Sequence, residues 1–315
     1  MIRAILSRAF NIGQRVKTQH HSNNRNKRSE FGFLLPALLI VLVMSVFPLI
    51  SSLVLSLTRS SFSVSGGLQL EFVGLANYAN LLSDSRFWGT LGNTLIFVFV
   101  GVALQYALGL GIALLLTQKL AGQTFFRILF LIPMMITPVA VAYIMKMVLN
   151  FQIGPLTPVA KFFGFADLPW FADANLSRLL VIIGDTWQWT PFAIIILLAG
   201  LEALPHEPYE AAMVEGATPW QMFTQITFPL LLPVSSGLVL IRLVEAFKIV
   251  DMPIVLTGGG PGIATETTSL FAYFTWRTFD QGKTAAIAYL LVIAVTIIAT
   301  LYNNVLRKRA LEVAG

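Results

Sequence analysis

Two groups of residues in this 315-residue chain have types and spacings that could act on something outside the fold. The first is the polar stretch Leu201 to Pro229. It carries Glu202, Glu207, Glu210 and Glu215, four of the fifteen acids, while no Lys or Arg occurs between Arg178 and Arg242. Pro205 and Pro208 flank the start of a short helix, and Glu207 and Glu210 sit where a carboxylate meets the positive end of the helix dipole. Gly216 suits a helix end that needs positive φ. Thr218-Pro219 reads as N-cap and first residue of a second helix running toward Pro229. Ala211, Ala212 and Ala217 place little side chain around the turn, so a partner groove could approach the backbone closely. On the residues alone, the stretch reads equally as an ordered interfacial hairpin.

The second group lies inside long apolar runs. Arg242, Glu245, Lys248 and Asp251 follow one another at intervals of three, so neighbours of opposite sign can pair along a helix. Ionisable groups at membrane depth are costly unless paired or wetted, which makes them candidates for a solute path. A self-neutralising structural stripe is the competing reading. Asp185, Trp187, Gln188 and Trp189 combine flat rings with hydrogen-bonding groups, a lining suited to a sugar, although an interfacial aromatic belt would look alike. Asn93 is a weaker candidate of the same kind. Gly258-Gly-Gly-Pro-Gly262 is expected to be an irregular turn at the mouth of a helix bundle.

Several functions are excluded by what is missing. No Ser/His/Asp arrangement, metal-ligand spacing or paired catalytic carboxylates occur, so no enzymatic activity and no metal site are expected. The chain has no cysteine and three histidines, two of them adjacent (His20, His21). Gln281-Gly-Lys-Thr284 looks like the tail of a phosphate-binding loop, but the Gly required five positions before Gly282 is Arg277. With no nucleotide site, uphill work would need energy from another subunit.

The elements that must carry these residues are membrane helices. The composition is 56% hydrophobic and 11% charged, with a mean hydropathy of +0.77, whereas soluble domains carry about 25% charged residues. Six apolar runs are long enough to span a bilayer: about 31–57, 88–116, 128–149, 179–201, 231–256 and 284–306. Residues 1–30 form a basic tail and 307–315 a short second one. Glu71 to Leu82 reads as a short interfacial helix, and Ser60 to Gly67 as a turn. Seven of the 21 basic residues fall in the first 28, and Arg307-Lys308-Arg309 closes the last span. Basic ends on a membrane protein point to the cytoplasm rather than to nucleic acid. Six spans with both ends inside place the 202–229 hairpin in the cytoplasm as well.

Glu210-Ala-Ala-Met-Val-Glu-Gly-Ala217, followed by Phe223-Thr-Gln-Ile226, Pro229 and Pro233, resembles the cytoplasmic EAA loop of bacterial ABC importer permeases. Phe72 to Tyr78, Asn93-Thr-Leu95, Gly184 to Trp187 with Pro191-Phe192, and Leu256 to Pro261 with Thr265-Glu-Thr267 are similar to the carbohydrate-uptake branch, the maltose and glycerol-phosphate type. The resemblance implies an all-α membrane protein with the type I ABC importer permease fold. It implies that Glu210, Ala211, Ala212, Glu215, Gly216 and Ala217 form a coupling helix seated in a cytoplasmic ATPase, with ATP and Mg bound by that partner and no cofactor in this chain. It implies a pair of ATPase subunits, a second, different permease making a heterodimer, and a periplasmic solute-binding protein delivering a sugar near Gly258, Gly259, Gly260 and Pro261. Membrane lipid would surround the spans of this inner-membrane protein. The rivals are a stand-alone ion-coupled transporter or channel using the charges of the fifth span, and a scaffold whose hairpin recruits a cytoplasmic protein.

Overall fold

The computed structural model describes residues 34–62, 68–118, 122–150, 154–162 and 169–304. The basic tail 1–30, most of the 60–67 turn, Lys119 and the 307–315 tail lie outside them. The chain divides into two units, residues 1–55 and 56–315. The first unit contributes all but the last residue of helix α1, Leu34–Ser56, with a mean hydropathy of 2.7 over its most apolar stretch. Such a helix satisfies its own backbone and needs no polar neighbour in hydrocarbon.

The second unit opens with an antiparallel hairpin, β1 Thr58–Phe62 and β2 Leu68–Phe72, paired from Thr58↔Phe72 to Phe62↔Leu68. The helix expected from Glu71 is therefore shorter, α2 Ala76–Leu82. Leu68, Leu70 and Phe72 alternate with Gln69 and Glu71, a two-residue period that favours strand. Next comes α3, Ser85–Leu116, capped by Asp84, whose carboxylate accepts from Arg86 N–H.

The run expected as one third span is two helices, α4 Gln123–Met135 and α5 Pro138–Val148, bent by 99°. Pro138 forces its predecessor out of the α region, and Thr137 is extended at ψ 144°. Short α6 (Thr157–Phe162) precedes α7, Ala174–Glu202, capped by Asp173. After α8 (Glu207–Val214), α9 (Pro219–Met222), a π-helical turn at Phe223–Thr227 and α10 (Phe228–Ala246) form one continuous span.

The fifth span was expected to run to about 256. It stops at Ala246, and α11, Asp251–Leu256, is a separate short helix. In a continued helix, Pro253 would lack the N–H for the residue 249 carbonyl and clash with it. Last come α12, Thr268–Arg277, and α13, Gln281–Tyr302. Gln281-Gly-Lys-Thr284 is thus the first turn of a helix following another helix, without the strand that a phosphate loop requires.

α3 and α7 form the principal helix pair. Their backbones close at Gly109, where an added Cβ would stand 2.5 Å from Ala193 Cβ. Small residues allow this approach in membranes, where dispersion rather than the hydrophobic effect holds helices together.

A polar clasp fixes the segment between α11 and α12. Glu266, 2% exposed, accepts from Arg86 Nε at 3.0 Å and Nη2 at 2.7 Å. Asn93 Nδ2 donates to the carbonyls of Ile263 and Glu266, and Arg178 Nε donates to that of Ala264. Thr94 Oγ1 accepts from Thr268 N–H.

Two substitutions test this packing in the purified chain. Gly109→Leu should cost about 1–3 kcal/mol by overpacking and lower the thermal midpoint. Gly111→Leu, where an added Cβ meets nothing within 4 Å, should change it far less. Arg86→Ala strands the buried Glu266 carboxylate and should cost about 1–3 kcal/mol, with Glu266→Gln in the same background restoring part of the loss. Equal midpoints for Arg86→Ala and the wild type would remove the clasp from the account.

Candidate functional site

The two helix breaks meet. α5 packs on α11, and a cavity of about 160 Å³ is lined by Pro138 from the first break, by Ile249 and Val250 from the second, and by Asp185, Gln188, Trp189, Arg242, Glu245, Lys248 and Asp251. Broken backbone at membrane depth must find polar partners, and each break finds them in side chains from other elements. Gln188 Nε2 donates to the Ile136 carbonyl at 3.2 Å. Thr267 Oγ1 donates to that of Ile249 at 2.8 Å, and Ser269 Oγ to that of Phe247 at 3.0 Å. At the far end of α11, Lys146 Nζ donates to the Val255 carbonyl.

Beside the cavity, three spans are joined by one charged network. Arg242, 3% exposed, donates from Nε to Gln105 Oε1 at 2.9 Å. Gln105 Nε2 donates to Asp185 Oδ2 at 2.8 Å, and Arg242 Nη2 lies 3.8 Å from the same oxygen. The Arg242 guanidinium stacks 4.6 Å above the Trp189 ring. Arg242 therefore pairs across helices rather than along its own. Lys248 and Glu245 do form the expected pair along the chain, at 2.8 Å and largely exposed. Asp251 opens α11 and has no hydrogen bond or ion pair among the described residues.

The structure divides the sequence candidates. Asp185, Gln188, Trp189, Arg242, Glu245 and Lys248 share the cavity lining. Trp187 does not: it faces an apolar groove of about 620 Å³ between α3, α4 and α7. Asn93 is buried in the clasp. Gln105, which sequence reasoning passed over, is the hinge of the network. Its signal was present as an amide deep in the apolar second span, one turn after Gly101.

The Gly258–Pro261 segment is an irregular turn tied down by its neighbours. Gly260-Pro261 is cis, Gly258 and Gly259 have positive φ, Thr257 Oγ1 and Thr265 Oγ1 are hydrogen-bonded at 2.6 Å, and Thr265 N–H donates to the Gly259 carbonyl.

The hairpin folds as its residues specify. Gly216 adopts φ 78°, with Ala217 N–H donating to the Ala212 carbonyl and Gly216 N–H to that of Met213, a left-handed helix stop. Thr218 and Gln221 form a reciprocal capping box. Tyr209 Oη donates to Thr227 Oγ1 at 3.0 Å and fastens α8 to the π-helical turn. Apart from that tie, α8 buries nothing. Glu210, Ala211, Glu215 and Gly216 are exposed, and Ala212 and Ala217 are half-buried. Val214 is 90% exposed and Trp220 71%. Arg127 at the start of α4 donates to Glu202 at the end of α7 and holds these helix ends together beside the hairpin.

Residues 105–311 match the family described as the binding-protein-dependent transport system inner membrane component. Among similar proteins is a trehalose/maltose transport system permease of Thermococcus litoralis, 34% identical over 91% of this chain and 97% of its own length. Another is a sulfoquinovosyl glycerol transport system permease of Agrobacterium fabrum, 30% identical over 88% of this chain and 89% of its own. A bacterial alginate ABC transporter, solved with its alginate-bound periplasmic protein, superimposes with a TM-score of 0.79 at 20% identity, covering 91% of this chain and 96% of that one, a likeness of fold. The chain belongs to the inner-membrane components of binding-protein-dependent transport systems and has the helical type I fold of ABC importer permeases.

Proposed function

We propose that this chain is the permease subunit of an ATP-driven importer for a sugar or sugar derivative, moving its cargo by alternating access. The carrying observation is α8. It is a short helix between two spans, ended by the left-handed Gly216, and it exposes Met213 and Val214, as α9 after it exposes Trp220, while making almost no contact of its own. An apolar helix face beside small residues fits a groove in a partner, with Ala211, Ala212, Gly216 and Ala217 leaving room for close approach and Glu210 and Glu215 adding charge at its rim. The partner is a pair of cytoplasmic ATPase subunits, which bind the ATP and Mg. Closure of that pair would press on α8, and the Arg127–Glu202 pair would pass the movement to α4 and α7.

The remaining assembly follows the same reading. A second, different permease completes the path, and a periplasmic binding protein delivers the cargo near the Gly258–Pro261 turn. Both termini face the cytoplasm, and lipid surrounds the spans. A sugar is supported by the cavity, whose lining includes the Trp189 ring, stacked on one face by Arg242, and Gln188, whose amide oxygen has no partner among the described residues. The transport systems named for the similar proteins carry glycosides.

The test is uptake in proteoliposomes holding the full complex. Gly216→Asp and Ala212→Trp should each lower transport and substrate-stimulated ATP hydrolysis by tenfold or more, about 1.4 kcal/mol of lost coupling, while membrane insertion is unchanged. Full transport in both variants would refute the role of α8, and uptake by this chain alone without ATP would favour the ion-coupled rival. Within the network, Gln105→Leu should impair transport of a neutral probe sugar and lower the thermal midpoint, because it leaves Asp185 and Arg242 each short of a buried partner.

A further inference from the structure

We propose that the cavity at the two helix breaks selects against anionic solutes, with Asp251 setting the sign of its field and Arg242 acting as a positioning residue rather than an anion receptor. This rests on the reading of that cavity as part of the solute path.

Five ionisable side chains line the cavity. Arg242 is the one a sulfonate or phosphate would seek, since its planar fork matches such groups. Its guanidinium is already engaged by Gln105 at 2.9 Å, Asp185 at 3.8 Å and the face of Trp189. Turning Arg242 toward a cargo anion would strand the buried Asp185 carboxylate, a costly exchange at membrane depth. Lys248 is held by Glu245 at 2.8 Å. Lys146, on the packed helix α5, is turned to the Val255 carbonyl at the other end of α11. Asp251 remains, exposed and without a partner among the described residues. Two cations against three carboxylates leave one negative charge at the mouth.

The neutral part of the lining points the same way. Among the described residues, neither the Gln188 amide oxygen nor the Trp189 indole N–H has a partner. These groups suit hydroxyls and a sugar ring. Of the cargoes named for the similar proteins, trehalose and maltose are uncharged and sulfoquinovosyl glycerol carries a sulfonate. The cavity suits the uncharged class.

The absence of cysteine makes the sign of the field directly measurable. Val250→Cys, or Ile249→Cys should the first misfold, places one thiol in the lining of the assembled transporter, prepared with cysteine-free partners. Its rate of modification is measured with a trimethylammonium-ethyl and with a sulfonatoethyl methanethiosulfonate of similar size. The cation-to-anion rate ratio, divided by the ratio for a free thiol, should be about threefold or more, and Asp251→Asn should bring it close to one. A normalised ratio at or below one, or a ratio that Asp251→Asn leaves unchanged, overturns the proposal. Failure of both reagents to react at either position also overturns it, because the cavity would then not be open to water. The labelling needs neither ATP nor sugar, so its failure is distinguishable from failure of ATP-driven uptake.

Discussion

Hydrocarbon offers a peptide group no water, so a chain inside it must pair every backbone N–H and C=O itself. Unbroken helices do this locally. Among the described residues this chain departs from that solution at Ile136-Thr137 and at Phe247–Val250, and much of the structure serves those departures. Gln188 reaches from α7 to the first break, and Thr267 and Ser269 reach from α12 to the second. For α12 to stand there, the segment before it must be fixed, which is the work of Arg86, Asn93 and Arg178 on Glu266, Ile263 and Ala264. The clasp, the breaks and the cavity are therefore one system. The segment leading into α12 cannot shift without exposing the carbonyls that Thr267 and Ser269 cover.

The buried charges add a second constraint. Arg242, Gln105 and Asp185 come from three different spans and satisfy one another. Such a network contributes little net stability relative to apolar packing but penalises any arrangement that separates its members. Rigid registration of α3, α7 and α10 suits a machine in which force applied at one end of the helices must move the other. The exposed α8 is fastened to the span by Tyr209 and Thr227, and in the proposed function force enters there.

Much of this was readable in the sequence, for physical reasons. The long apolar helices, five among the described residues or six if the bent α4–α5 pair counts as one span, follow from apolar length, which only a bilayer rewards. The hairpin was legible because its signals are local: Thr218-Pro219 and Pro208 at helix starts, and Gly216 at a stop. The breaks were harder to place. Pro138 and Pro253 mark them, yet hydropathy averages over both, so each broken span read as continuous. The β1–β2 hairpin was missed although Leu68, Leu70 and Phe72 alternate with polar residues. The roles of Asn93 and Gln105 were hidden because their partners lie 170 and 137 residues away. Trp187 and Trp189 differ by two positions, which on a helix turns them about 200° apart, and only the fold shows that Trp189 alone reaches the cavity.

The central claim is that energy enters through α8. Hydrogen exchange of residues 207–217 in the chain alone and in the assembled transporter tests it most directly. The account predicts fast exchange in the isolated chain, since α8 buries none of its residues, and marked protection of this segment once the ATPase is bound. Unchanged exchange across 207–217 in an assembly that hydrolyses ATP and transports its cargo would contradict it.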